Sequence, residues 1–329
     1  MLMIALAAAA ATAQPQPLRT FTDWTVGCDN GRACTAVMLL PEEYAWNRDE
    51  YLLLTIKRGG APGAPVVIDW DNDLGDAPVT LLVDNRVVAR GVHRGMALTP
   101  AMISALRRGN MATLRIGANQ TLPASLVGLT ASLLLMDEQQ GRLGTTTALV
   151  RRGNRPLIGT GPALPQIVRP AMSTAAPRTL SVDEARRIIG PDYAVCEESS
   201  PPVAVESYRL DAEHSLALIF HPCGNGAYNY FATAMIVDNQ GRATPAPFEI
   251  DPGMGGEAGA PPGNILVNAR YDAEQRVLNA YAKGRGVGDC GTLSDFVWDG
   301  TRFALSSLLR MDECRGRINY IEVWRTNVR

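Results

Sequence analysis

The residues with chemistry to offer in this 329-residue chain are six cysteines, three histidines and a scatter of carboxylates. Cys223 stands two positions after His221, a spacing that invites comparison with a Cys–His nucleophile. Such chemistry needs a free thiolate. The cysteines sit at Cys28, Cys34, Cys196, Cys223, Cys290 and Cys314, and an even set behind an export signal reads as disulfides. If each half closes its own bridges, Cys28 pairs with Cys34 and the other four keep three connectivities. Pairing of neighbours gives Cys196–Cys223 and Cys290–Cys314. No Cys-x-x-Cys occurs, and only His93, His214 and His221 supply imidazoles, so structural zinc lacks its usual spacing.

Other constellations are weaker. A Gly-x-Ser-x-Gly elbow is absent, which removes the simplest serine nucleophile. Gly284-x-Gly286-x-Gly288 looks like a phosphate loop, but the dinucleotide fingerprint needs Gly-x-Gly-x-x-Gly between a strand and a helix. This run leads into Cys290 and a hairpin, where glycines permit a bulge or a close approach. Asp69, Asp71, Asp73 and Asp76 alternate like calcium ligands. The EF-hand positions for Gly and Glu are held by Leu74 and Thr80, so an acidic surface turn is the stronger reading. The expectation is no catalytic, cofactor or metal residue. Carboxylates such as Glu257, Asp289 and Asp295 keep a glycosidase reading in view, because their spacing is spatial.

Recognition is better served. The segment from Asp251 to Asn264 is a long loop rich in Gly and Pro, the kind that faces partners. His221, Tyr228, Asn229, Tyr230, Glu257, Arg285 and Asp289 are the candidate partner-binding residues, since aromatics and Arg dominate interface hot spots.

These residues need a scaffold. The composition, 46% hydrophobic and 19% charged, is that of a globular chain long enough for two domains. A formal net charge of -2 argues against nucleic acid as a partner. Residues 1–13 form an apolar run ending Ala11-Thr12-Ala13, a signal-peptide pattern with cleavage expected after Ala13. No later stretch is long and apolar enough to span a bilayer, so the mature chain is expected in the periplasm or secreted.

In the segment 18–150, Trp24, Val26 and Cys28 share one face of a strand, and strands follow at 51–56, 66–70 and 79–83. Asp84-Asn85 turns into a hairpin. Thr99-Pro100 opens a short helix that Gly109 ends. Residues 114–117 and 130–136 are read as further strands. The segment 151–179 is a proline-rich linker. In 180–329, Ser181 to Glu184 forms a capping box for a helix that Gly190-Pro191 stops. Strands are expected at 203–210, 215–220, 229–237, 265–271, 276–282 and 320–325. Asp299-Gly300 marks a hairpin: a two-residue turn places Phe296 opposite Phe303, and a four-residue turn places Trp298 there. The fold class expected is mainly β: two antiparallel, disulfide-supported domains, sandwich or barrel-like, each with one short helix.

Two resemblances bear on this reading. Phe21-x-Asp23-Trp24-x-Val26-x-Cys28 with Cys34, the Val83-Asp84 hairpin and the helix after it resemble the invasion-associated locus B family over the first domain. That family comprises exported bacterial proteins linked to host-cell invasion, without established catalytic residues. Its later cysteines have no counterpart here. Over the whole mature chain, Asp23-Trp24 to Cys34, Cys223 to Asn229, Gly284 to Gly291, Trp298-Asp299-Gly300 and Cys314-Arg315-Gly316 resemble the exported bacterial family known as domain of unknown function 1176. The resemblance implies an exported compartment and paired cysteines.

The function expected is an exported, periplasmic, non-catalytic binding protein acting on a protein or glycan of the cell envelope, or in host interaction. The alternatives are a periplasmic hydrolase with carboxylates in the second domain, and an inhibitor of a cell-wall enzyme such as lysozyme.

Overall fold

The computed structural model describes residues 14–42, 52–71, 78–116, 120–159, 161–190, 202–253 and 263–329. The expected signal segment, Cys196, Glu257 and most of the Asp69–Asp76 run lie outside the described residues. The chain is mainly β, as expected, with open antiparallel sheets and three short helices; of the two forms expected, sandwich or barrel-like, no closed barrel occurs among the described residues.

The first sheet runs Arg19–Phe21, Trp24–Cys28, Cys34–Met38, Leu53–Arg58, Val66–Asp71 and Met96–Ala97. A four-stranded sheet, in the order Gln120–Ser125, Met111–Ile116, Val79–Val83 and Arg86–Val92, packs against it. Pro123 is tolerated because its strand is at an edge. Asp84 and Asn85 take φ of 46° and 63°, the left-handed pair that a tight hairpin turn requires. Helix α1, Pro100–Arg108, starts where Thr99 Oγ1 accepts from Met102 N at 3.2 Å.

Residues 130–136 are not a strand. They lie in helix α2, Leu129–Gln139, so this half carries two helices instead of one. Leu129, Leu133 and Met136 recur at helical spacing and face the core, while the neighbouring apolar residues hide that period. The expected strand at 265–271 is also broken. Asn268 takes φ 48° and divides it into Ile265–Val267, paired in one sheet, and Arg270–Asp272, paired in another.

Those two sheets make up the later half. One contains Ala204–Arg209, His214–Phe220, Phe231–Asp238 and Ala243–Pro245, with Ile265–Val267 beside the third strand. The other runs Arg270–Asp272, Val277–Lys283, Gly291–Trp298, Phe303–Met311 and Ile321–Arg325. The Asp299-Gly300 turn is the four-residue form: Trp298 pairs with Phe303 and Phe296 with Leu305. Phe248 stacks on Phe303 at 5.2 Å and meets the edge of Phe296 at 5.1 Å, filling the space between the sheets. Helix α3, Val182–Ile189, has the full capping box and buries Ala185 and Ile189 against the outer side of the first of these sheets.

Alternation on the first sheet serves two cores. Trp24, Val26 and Cys28 enter the first core, whereas Leu18, Val37 and Leu39 join Leu216, Phe296, Ile321 and Val323 in the second. Gly27 permits this contact, because a Cβ there would meet Leu18 Cδ2 at 2.5 Å and Ile321 Cγ2 at 3.0 Å. The proline-rich segment lies as a strap. Gln166–Ile167 pairs in parallel with Asn327–Val328, and Arg209 Nη2 donates to Ala176 O at 2.7 Å.

Candidate functional site

Cys28 and Cys34 face each other across adjacent strands and are bridged, as are Cys290 and Cys314. Cys223 is also disulfide-bonded, and Cys196, its neighbour in the pairing expected, lies outside the described residues. No free cysteine stands among the described residues, so Cys223 offers no thiolate to His221. His221 is buried, its Nε2 sits 2.8 Å from Thr233 Oγ1, and burial lowers its pKa. A neutral, packed imidazole results.

The loop from His221 to Phe231 is braced by three asparagines. Asn225 Nδ2 donates to His221 O at 2.8 Å, and its Oδ1 accepts from Phe231 N at 2.8 Å, closing the loop on itself. Asn229 behaves as an extra strand residue: Nδ2 donates to Lys283 O at 2.9 Å and Oδ1 accepts from Lys283 N at 3.2 Å. Asn268 is the node. Its Nδ2 reaches Tyr281 O at 2.8 Å and Asn229 Oδ1 at 3.0 Å, while its Oδ1 accepts from Tyr230 N at 3.0 Å. An Asn accepts positive φ more readily than other non-glycine residues. The signal that would have found it was that tolerance, hidden in an otherwise apolar run.

This bracing leaves Tyr230 at the surface, 57% exposed. Its neighbours form a cleft of about 450 Å³ lined by Pro202, Phe220, His221, Asn225, Phe231 and Asn268, with Tyr230 at the same site. The walls are mainly apolar, with amide groups among them. Tyr228 lies across the loop instead, its ring over Gly286 and its hydroxyl 3.3 Å from Gly284 O. Of the sequence candidates, His221 and Tyr230 therefore meet in one cleft, and Tyr228 and Asn229 support it.

Arg285 and Asp289 do other work. Arg285 Nε donates to Asp289 Oδ1 at 2.6 Å, and a second donor of the guanidinium meets Oδ2. Asp289 Oδ2 also accepts from Gly316 N at 2.7 Å. Burial would raise the Asp289 pKa, but the Arg285 donors and the Gly316 N–H hold it below the ordinary carboxylate range. The glycines allow the approach: a Cβ on Gly284 would meet Cys290 Sγ at 2.6 Å, and one on Gly291 would meet Ala282 O at 2.1 Å. With Cys290–Cys314, this loop fixes the segment that follows Cys314. Arg315 Nη1 then donates to Thr22 O at 2.7 Å and Nη2 to Asp23 Oδ1 at 2.9 Å. Arg317 Nη1 donates to Leu53 O at 2.9 Å, and another of its nitrogens to Thr55 Oγ1. The whole device is a clamp between halves.

The two described carboxylates weighed for hydrolysis each have local partners. Asp289 is held as described, Asp295 Oδ1 accepts from Asn279 at 2.5 Å, and Glu257 lies outside the described residues. A separate cleft of about 440 Å³ carries Glu249 and Asp299, but Arg302 lies 3.2 Å from the first and 3.6 Å from the second. Burial would raise the Asp299 pKa, yet the backbone of Arg302 and the hydroxyl and N–H of Thr301 bring it below the usual range. Asp299 is thus poorly suited to the general-acid role, which needs a raised pKa.

Asp211 and His214 fall between the strands expected at 203–210 and 215–220, and no role was expected for either. Asp211 is buried, and Trp298 Nε1 donates to its Oδ2 at 2.7 Å. His214 Nδ1 lies 3.0 Å from both Asp211 oxygens. The residue types were visible, but the meeting of Asp211 with Trp298 depends on sheet packing over a separation of 87 positions.

Comparison with known proteins places this geometry in context. A family model described as "Protein of unknown function (DUF1176)" matches residues 18–327. The chain is similar to the Uncharacterized protein YpfG of Escherichia coli (strain K12), 30% identical over 313 residues, which is 87% of this chain and 86% of that protein. Among solved structures it has a likeness to invasion associated protein b from Bartonella henselae, at 17% identity, covering 38% of this chain and 99% of that one. The TM-score is 0.29, and a likeness at that level carries no argument.

Proposed function

Because the chain belongs to the DUF1176 family, with a match over residues 18–327, we propose its role from its own geometry: an exported, non-catalytic binding protein of the cell envelope. The observation that carries this reading is Tyr230. A tyrosine 57% exposed beside a mainly apolar cleft of about 450 Å³, on a loop braced by three asparagine side chains, is a preorganised recognition feature. Tyr presents a large amphipathic surface at low entropic cost, which is why it dominates hot spots. The occupant that suits this cleft is an apolar side chain from a partner protein, inserted against Phe220 and Phe231, with its backbone meeting Asn225 and Asn268.

The disulfides support an oxidising compartment for this chain. No helix among the described residues is long and apolar enough to cross a membrane.

A photo-crosslinking amino acid at position 230, expressed in the native host, tests the reading. The control is the same group at Val87, which is 46% exposed in the other half of the chain. A discrete protein adduct from position 230, lacking at position 87, is the result expected. No adduct, or the same adducts from both positions, overturns it. Purified lysozymes, added separately, decide whether the partner is a cell-wall enzyme.

A further inference from the structure

A second cleft, of about 270 Å³, opens beside the Asp299-Gly300 turn and is lined in part by His214 and Trp298. His214 is held there by an Asx turn and, beyond it, by contacts with the Asp211 carboxylate and the Trp298 ring. Asp211 Oδ1 accepts the backbone N–H groups of Glu213 and His214, each at 2.8 Å. Its Oδ2 takes the Trp298 indole, and both oxygens face His214 Nδ1. The imidazole also rests against the Trp298 ring at 5.4 Å. With Nδ1 engaged, Nε2 has no partner among the described residues, on a side chain 30% exposed to the cleft. A buried carboxylate that fixes one imidazole in one orientation is preorganisation for a ligand.

The rest of the lining narrows the class of ligand. Ile236, Pro245 and Pro247 supply an apolar wall, and Thr244 adds a hydroxyl. Opposite in character are Asp238 and Arg242, paired at 3.0 Å, which set an acceptor and a donor side by side. That pair balances its own charge, so the cleft does not select an anion. Thr301 Oγ1 is already donating to Asp299 at 2.8 Å, which leaves it unsuited to act as a nucleophile for His214. What fits is a neutral ring with a C–H face and hydroxyls that both donate and accept.

We propose that this cleft binds a single neutral sugar ring of an envelope glycan, with His214 Nε2 and the Asp238–Arg242 pair taking its hydroxyls. The site is distinct from the Tyr230 cleft, and either can fail without the other.

The test uses the full oxidised chain and follows the Trp298 indole N–H and His214 ring signals by NMR. Glucose, galactose and N-acetylglucosamine are titrated separately, with inorganic phosphate as the anion control. At least one sugar is expected to shift both signals saturably, while phosphate does not. Arg242→Ala, at a side chain 79% exposed, keeps the fold and is expected to weaken that binding about tenfold. Tyr230→Ser is expected to bind sugar like the parent. No response to any of the sugars, a response to phosphate alone, or unchanged binding in Arg242→Ala overturns the proposal.

Discussion

Arg317 Nη1 lies 3.0 Å from Asp71 Oδ2, joining the segment after the last disulfide to a strand of the first sheet. The guanidinium is 2% exposed and satisfies Leu53 O as well. Its removal leaves a buried carbonyl and hydroxyl without their donor. Arg317→Ala is expected to cost about 3 kcal/mol, read as a lower urea midpoint. A change below about 0.5 kcal/mol would show that the clamp contributes nothing to folding.

The Cys290–Cys314 bridge closes the loop on which that clamp depends. The chain-entropy model gives about 3.5 kcal/mol for a loop of this length. The double variant Cys290→Ala/Cys314→Ala is expected to lose about that much. Coupling provides a further check. In the bridge-less background, Arg317→Ala is expected to cost less than in the parent, because the segment no longer holds its place.

Asp289 sets an acid limit. Burial works against its charge, and the Arg285 donors and Gly316 N–H outweigh that, so the folded-state pKa is depressed. A depressed carboxylate stabilises the fold above its unfolded pKa, and that contribution is lost as pH falls through the folded value. Urea midpoints measured against pH are expected to hold down to about pH 4 and fall below it. Asp289→Asn is expected to lower the midpoint at neutral pH and to flatten the acid limb. An unaltered limb in the variant would remove Asp289 from this role.

Asn268 separates two causes of its own importance. Asn268→Gly keeps the positive φ and deletes the side-chain bonds, at an expected cost of about 1–3 kcal/mol. Asn268→Ala is expected to cost about 1 kcal/mol more, because the left-handed backbone then carries a Cβ. Thermal unfolding of the pair checks both terms. Equal midpoints would show that the hydrogen bonds alone matter.

Tyr230 gives the opposite signature. It is largely exposed and its hydroxyl takes no partner among the described residues, so Tyr230→Ser is expected to leave stability within about 0.5 kcal/mol of the parent. In competition with the parent it is expected to lose the partner that the photo-crosslink captures. A large fall in stability would mark the residue as structural.

Much of this was legible in the residues. Thr99-Pro100, the Ser181–Glu184 box and Asp84-Asn85 each carry their local geometry in their own side chains. The Asp299-Gly300 turn is plain in the residues but its length is not, because both forms bury an aromatic face. Helix α2 does not show in the residues, because an unbroken apolar run, Leu133 to Met136, conceals its period. The clefts were less legible still. Asn268 acts through partners forty and thirteen positions away. Asp211 meets Trp298 only after two sheets have packed. Spatial convergence of this kind leaves no spacing to read.

The first sheet has no solvent side over much of its width: Val37 and Leu39 look one way, Trp24 and Val26 the other. A protein cut within the proline-rich segment would carry a bare oily flank, and copies of itself would be its readiest cover. The two halves of the described chain are thus expected to melt together, in one calorimetric peak.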